Sequence, residues 1–321
     1  MKLSKYFKKA IKVGGKYDPR TEAGIKRELE QMNKDYSALG EREKRWFDVE
    51  RLWNPYVDAR VFFQGSDPEL KKVAVGIDID VSDLLLIHEL NKQGGGFNAV
   101  MSHHPAGNQM AFHHALEAQV DMFASWGVPI NQAEALMKPR VAEVSRGLFA
   151  VNSRRLAKAA EMIGMPLLSL HSPADVCVQS HVQGTIDKAK PRTLKDAMEL
   201  LTDEYPEYAD ARSRGEAMRL FAGSEKNQCG RIVVKMAGGT QGPVEQFGEF
   251  ARAGIGTVVC MHLRDDARKE AEKNNINILI AGHMASDSIG MNILLGETDP
   301  AGEVEIVPMS GYIYVDRRTG K

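Results

Sequence analysis

Four of the nine histidines stand where a short apolar run gives way to a turn: His103 and His104 in VMSHHPAG, His171 in SLHSPAD and His283 in IAGHMASD. His171 and His283 are each followed four residues later by an acid, Asp175 and Asp287. Imidazoles and carboxylates without thiolates suit zinc, iron, manganese, cobalt or nickel rather than a soft metal. If Met284 to Gly290 opens a helix, His283 and Asp287 share one face, because residues four apart are neighbours on a helix surface. Pro173 disfavours helix at Ser172, so His171 and Asp175 are expected to meet through a turn. Successive side chains of an extended segment point opposite ways, which separates His103 from His104 unless two neighbouring metal ions take one each. A lone strand-end histidine is ordinarily a half-buried backbone cap. Four of them with two spaced acids argue for a shared site.

Two further patterns invite chemistry. FHHALEAQVD places His113, His114 and Glu117 on one predicted helix; its spacing allows metal binding, and a polar face lining a cleft explains it as well. KMAGGTQG puts Gly238, Gly239 and Gly242 after a strand, where backbone N–H groups can cradle a phosphate. It lacks GxGxxG and a P-loop lysine, and a tight strand-to-helix turn is an equal reading.

These residues converge only if distant strand ends meet. From Lys72 onward short apolar runs alternate with amphipathic stretches, the grammar of α/β units, and ligands of open α/β sheets bind at the carboxyl ends of strands. KKVAVGIDI, FNAVMS and PLLSL read as strands in the first half, and RIVVKMA, GTVVCM and INILIAG in the second, with helices between them. Laying VAVGID at 73–78 over IVVKMA at 232–237 sets AVMSHH opposite TVVCMH with a one-residue offset, and His104 opposite His262. The pattern predicts two related α/β lobes from an internal duplication. The expected division is an N-terminal helical extension over 1–57, a first lobe over 58–190 with a helical insertion near 110–160, a connecting helical segment over 191–228 and a second lobe over 229–321. KLSKYFKKAIKV aligns Leu3, Phe7, Ala10 and Ile11 on one helical face. That face suits packing on the fold or a neighbouring subunit better than a membrane or acidic partner.

A chain of 321 residues, 43% of them hydrophobic, is ample for a buried core. Its formal net charge of -1 lacks the basic excess of a dedicated nucleic-acid binder. The three cysteines have no CxxC spacing and imply neither a zinc ribbon nor a disulfide framework. With no apolar run near membrane-span length and no signal-peptide pattern, the expected location is cytoplasmic.

In SHHPAG at 102–107, HSPAD at 171–175 and GHMASD at 282–287, with the glycine-rich KMAGGTQG, the chain resembles the Nif-three-like proteins, type two homologues of GTP cyclohydrolase one. The resemblance runs in order from Asp58 to Tyr314. It implies a dinuclear metal centre, two divalent ions per chain, in the cleft between two lobes, and a ring-shaped homohexamer. Carried over by motif, the ligands are His103, His104, Asp175, His283 and Asp287, with His171 behind them as an outer-shell group. Three departures stand out: Asp287 replaces the family's glutamate, His262 replaces an acidic or small residue and offers an extra ligand, and the first two motifs are spaced by the insertion.

Two metal ions side by side imply metal-assisted hydrolysis of a nucleotide or phosphorylated small molecule, with His171 and His262 as acid–base candidates and Gly238, Gly239 and Gly242 as anion contacts. The alternatives are metal trafficking or metallocofactor assembly, and a scaffold with structural metals.

Overall fold

The computed structural model describes residues 1–105 and 114–318, so His113 lies outside the described residues. Three helices come first: α1 (Leu3–Tyr17), α2 (Thr21–Ala38) and the short α3 (Glu41–Lys44). The apolar face of α1 is buried at Leu3, Phe7, Ala10 and Ile11, and it packs into the central core.

Next come β1 (Ala59–Phe63), β2 (Lys72–Gly76), α4 (Val81–Lys92) and β3 (Ala99–Ser102). They are followed by α5 (Ala118–Ser125), α6 (Ile130–Leu148), α7 (Arg155–Ile163), β4 (Leu167–Leu170) and α8 (His171–Ala189). α9 (Leu194–Glu204) and α10 (Pro206–Ser213) lead to β5 (Arg219–Ala222), β6 (Arg231–Lys235), α11 (Gln246–Arg252) and β7 (Ile255–Cys260). The chain ends through α12 (Asp265–Lys273), β8 (Asn277–Ile280), α13 (His283–Thr298) and β9 (Glu305–Met309).

The two sheets repeat one another. One has the order β1-β4-β3-β2-β9 and the other β5-β8-β7-β6. In each, the first-named strand is antiparallel and carries an irregularity, between Val61 and Phe63 or between Leu220 and Ala222, while the other pairings are parallel. The duplication read from VAVGID and IVVKMA is thus a duplication of topology, with β2 matching β6 and β3 matching β7.

Side chains alternating with period two sort onto the two faces of each sheet. Val73, Val75, Met101 and Leu168 face a shared central core with α1, α8 and α13, as do Val234, Val259 and Leu279 of the second sheet. Ala74, Val100 and Leu167 turn outward onto Leu84 and Ile87 of α4 and Leu156 and Ala160 of α7. On the far face of the second sheet, Val233, Val258 and Ile278 meet Phe247 and Phe250 of α11 together with Met122 and Phe123 of α5 and Met137 of α6. α8 and α13 are therefore the middle layer between two sheets, and α13 is buried at every residue from Ala285 to Gly296.

Packing and strand pairing run across the stretches into which the sequence divides. The first two described helices of the insertion cover the second sheet, not the first, because their apolar faces match Val233 and Val258. β9 leaves the 229–321 stretch and pairs with β2, so the first sheet draws on both ends of the chain. β5, inside the expected helical connector 191–228, is the antiparallel edge of the second sheet.

Candidate metal centre

The carboxyl ends of both sheets converge where α8 and α13 begin. Asp287, fully buried, is the hub. Its Oδ1 lies 3.4 Å from His103 Nε2, and its Oδ2 lies 3.4 Å from His104 Nε2 and 3.4 Å from His283 Nε2. Asp175 joins from α8, with Oδ1 3.3 Å from His103 Nε2 and Oδ2 3.6 Å from His171 Nε2.

Two local expectations are corrected here. α8 starts at His171 and carries Pro173 in its first turn, where the missing N–H would have had no intrahelical partner in any case. His171 and Asp175 therefore meet one helical turn apart, in the same way as His283 and Asp287 on α13. His103 and His104 follow the end of β3 in a bend, so strand alternation no longer governs them, and their rings stand 4.9 Å apart on the same side.

Sequence reasoning missed two acids that complete the site. Asp58 Oδ2 is 2.7 Å from His171 Nδ1 and also accepts from the Ser172 hydroxyl at 2.7 Å. Asp78 Oδ1 is 2.7 Å from His104 Nδ1. A carboxylate on the outer nitrogen fixes ring orientation and leaves Nε2 facing inward, the usual support of a metal-binding histidine. The available signal was position: Asp78 follows VAVGI at a strand end, and Asp58 precedes β1, whose Ala59 pairs with Leu170 beside His171.

Burial sets the electrostatics. It disfavours a charged His103, but Asp287 and Asp175 outweigh it and push the imidazole up to about 10. Burial likewise opposes charge on Asp287, yet the surrounding histidines, His103 first, bring it down to about 2. His104 falls to about 4 through burial and the neighbouring charges of His103 and His171. Both ring nitrogens of His103, Oδ1 of Asp175 and both oxygens of Asp287 are buried without a hydrogen-bond partner. Unpartnered buried donors and acceptors are costly, and a divalent cation would engage several of them together. Three sets of side chains offer ligand atoms within 4.8 Å of one another: His103, His104 and His171; His104, His283 and Asp287; His103, Asp175 and Asp287. The residues fit a metal site, with Asp287 shared by two of the sets.

A cavity of about 60 Å³ opens beside the cluster, lined by His171, Asp175, Lys235, Gln241, His262 and Asp287. His262 belongs to none of the three sets; its ring stands 4.7 Å from that of His283. Burial, then His283 and Lys235, lower its pKa. The glycine-rich loop is a clamped turn. Gln119 of the insertion donates to the carbonyls of Gly238 and Thr240 at 2.8 Å each, and Gln179 Oε1 accepts from the N–H groups of Met236 and Ala237. Gly238 takes φ +103°, and a Cβ there would lie 2.4 Å from Gln119 Cγ; Gly242 abuts Gln246 in the same way. Gly239 alone of the three lines the smaller cavity. His114 is not in the cluster: it stands 3.0 Å from Glu117, and both line a separate cavity of about 500 Å³ with Arg27, Arg51 and Tyr56.

A crystal structure of a NIF3 superfamily protein from Sphaerobacter thermophilus aligns with a TM-score of 0.69 at 26% identity, covering 79% of this chain and 91% of that one. Reduced HcgD from Methanocaldococcus jannaschii aligns with a TM-score of 0.46 at 13% identity, covering 75% and 84% respectively. TTHA1606 from Thermus thermophilus gives 0.45 at 11%, covering 85% and 99%. No family model and no curated protein matches the chain.

Proposed function

We propose that this chain, which has the fold of the NIF3 superfamily, carries a dinuclear metal centre and is a metal-dependent hydrolase acting on a nucleotide or other phosphorylated small molecule. The observation that carries this reading is Asp287, a fully buried carboxylate with both oxygens unpartnered and three imidazoles at 3.4 Å. His103, Asp175 and Asp287 would hold one divalent ion, and His104, His283 and Asp287 the other. Bound ions supply Lewis acidity and lower the pKa of water.

The rest falls to the chain itself. Asp58 and Asp78 hold His171 and His104 with Nε2 turned inward. Burial, then His283 and Lys235, hold the pKa of His262 below its ordinary value, and it stands at the edge of the cavity, where it can take a proton from attacking water. The 500 Å³ cavity adjoins at Ala237 and offers Arg27 and Arg51 to the remainder of an anionic substrate.

Elemental analysis of wild type beside His103→Ala/His104→Ala tests the centre. About two ions per chain in the wild type, lost in the variant, are expected; a wild type that takes up no metal after reconstitution overturns the reading. Turnover is then screened with nucleotides and phosphate esters, and His262→Gln should reduce it with metal content unchanged. The part exposure of His104 and His283, with side chains 25% and 36% accessible, favours metal handover as a second reading, which rapid isotope exchange without turnover would support. Leu85 and Leu86, exposed on α4, support the homo-oligomer, a hexamer in this reading, and light scattering measures it. No described helix is long and apolar enough to cross a membrane.

A further inference from the structure

Lys235 ends β6, half-buried, and lines the 60 Å³ cavity that Asp175 and Asp287 also line. Among the described residues its ammonium makes no hydrogen bond or ion pair; it lies over the Phe123 ring, 5.9 Å from Nζ to the centroid. Burial pulls its pKa down to about 8, and no carboxylate is among the groups that influence it; these are the Cys260 thiol and the Arg140 guanidinium. The fold does not ask for this side chain, because the matching strand end in the first sheet is Gly76: Gly76 pairs with Ser102 as Lys235 pairs with Cys260.

Gln241 lines the same cavity and is 8% exposed. Its Oε1 accepts from the Arg264 N–H at 3.0 Å, which fixes the amide orientation and leaves Nε2 as a buried donor without a partner. Its own carbonyl accepts from Arg140 Nε at 3.0 Å, which holds a second guanidinium close to the loop. An ammonium without a hydrogen bond and an unpartnered amide donor line the same cavity and lack only an acceptor, and each costs stability until one arrives. The cavity's volume equals about two water molecules' share of liquid volume, which suits a small headgroup rather than a ring.

We propose that Lys235 and the side-chain amide of Gln241 form an oxyanion subsite that holds the phosphoryl group of the substrate against the His/Asp centre. This deepens the hydrolase reading and rests on it for the substrate, but the subsite belongs to the protein with or without metal.

The test is calorimetric titration of the full chain with inorganic phosphate, with acetate as the control anion, after chelation and again after metal loading. Lys235→Met, Lys235→Arg and Gln241→Leu are compared with wild type, with metal content measured on each sample and folding checked by circular dichroism. Lys235→Met should weaken phosphate binding about tenfold or more, since a hydrogen bond to a charged group contributes roughly 1.5–3 kcal/mol. Lys235→Arg should stay near wild type, Gln241→Leu should fall between, and metal content should not change. Phosphate binding by folded Lys235→Met equal to wild type in both metal states overturns the subsite, as does a wild type that binds acetate as well as phosphate. If Lys235→Met does not fold, equal phosphate binding by wild type and Gln241→Leu overturns it. A wild type that takes up no metal yet binds phosphate through Lys235 would sink the metal reading and leave the subsite standing.

Discussion

Gly290 of α13 lies against the backbone of α8: a methyl group on it would stand 2.4 Å from the carbonyl oxygen of Ala174. Ala174 is followed by Asp175, and Gly290 comes three residues after Asp287, so this approach sets the distance between the two buried carboxylates. A similar contact seats α1 on α8, where a Cβ on Gly14 would fall 2.8 Å from Pro173 Cβ. The spacing within the His/Asp cluster thus depends on how closely α13 and α1 approach α8 at Gly290 and Gly14.

Gly290→Val should therefore push α13 away from α8. Overpacking of this kind costs about 1–3 kcal/mol, and urea unfolding would read it. Because the same shift parts Asp175 from Asp287, metal retained after dialysis should fall as well. Full metal retention in a destabilised variant would show that the helix contact serves stability alone.

The sequence pointed to the residues of this His/Asp cluster more readily than to its setting. His103, His104, Asp175, His283 and Asp287 were legible because each sits at a strand end or one helical turn beyond it, and strands such as VAVGI and TVVC announce themselves by apolar runs. α8 was not legible. HSPADVCVQSHVQGTIDKA lacks a continuous amphipathic pattern, because it is buried on all sides from His171 to Gln179 and exposed only beyond, and Pro173 reads as a stop when it is only a first-turn residue. Asp58 and Asp78 escaped because they act across strand pairings that lie far apart in sequence. The insertion's attachment to the second sheet escaped for the same reason.

Those two acids carry their own expectation. Asp58→Asn replaces the carboxylate that orients His171, and outer partners of this type typically alter metal affinity about 10–100-fold. Competition with a chromophoric chelator should show such a loss for Asp58→Asn and for Asp78→Asn, with ion number at saturation unchanged. Affinities within twofold of wild type would mean the two rings are held by packing alone.

Metal removal should destabilise the protein. A ligand that binds only the folded state adds about 4 kcal/mol at a thousandfold excess over its dissociation constant. For a chain of 321 residues that corresponds to roughly 6 °C in Tm. Calorimetry on chelated and reloaded wild type should show the drop and its recovery, and His103→Ala/His104→Ala should show neither.

Anion binding at Lys235 should weaken with alkaline pH. The site needs the ammonium, and burial holds its pKa down to about 8, so affinity is full below that value and declines as pH rises through it. Sulfate is the probe, because its charge is constant over this range. Beside Lys235 lies the guanidinium of Arg140. Cys260 is pushed up to about 12 by burial and stays neutral, and His262 titrates below its ordinary value. His171, which lines the cavity, and His103 behind it are also raised in the metal-free cluster, so the difference between the wild-type and Lys235→Arg profiles is the part of the decline that Lys235 sets. Titrations on metal-free protein remove any competition from bound ions. In Lys235→Arg the decline should be shallower than in wild type while binding persists, because the guanidinium does not lose its proton. A flat profile in wild type would mean that sulfate is held by Arg140 without Lys235.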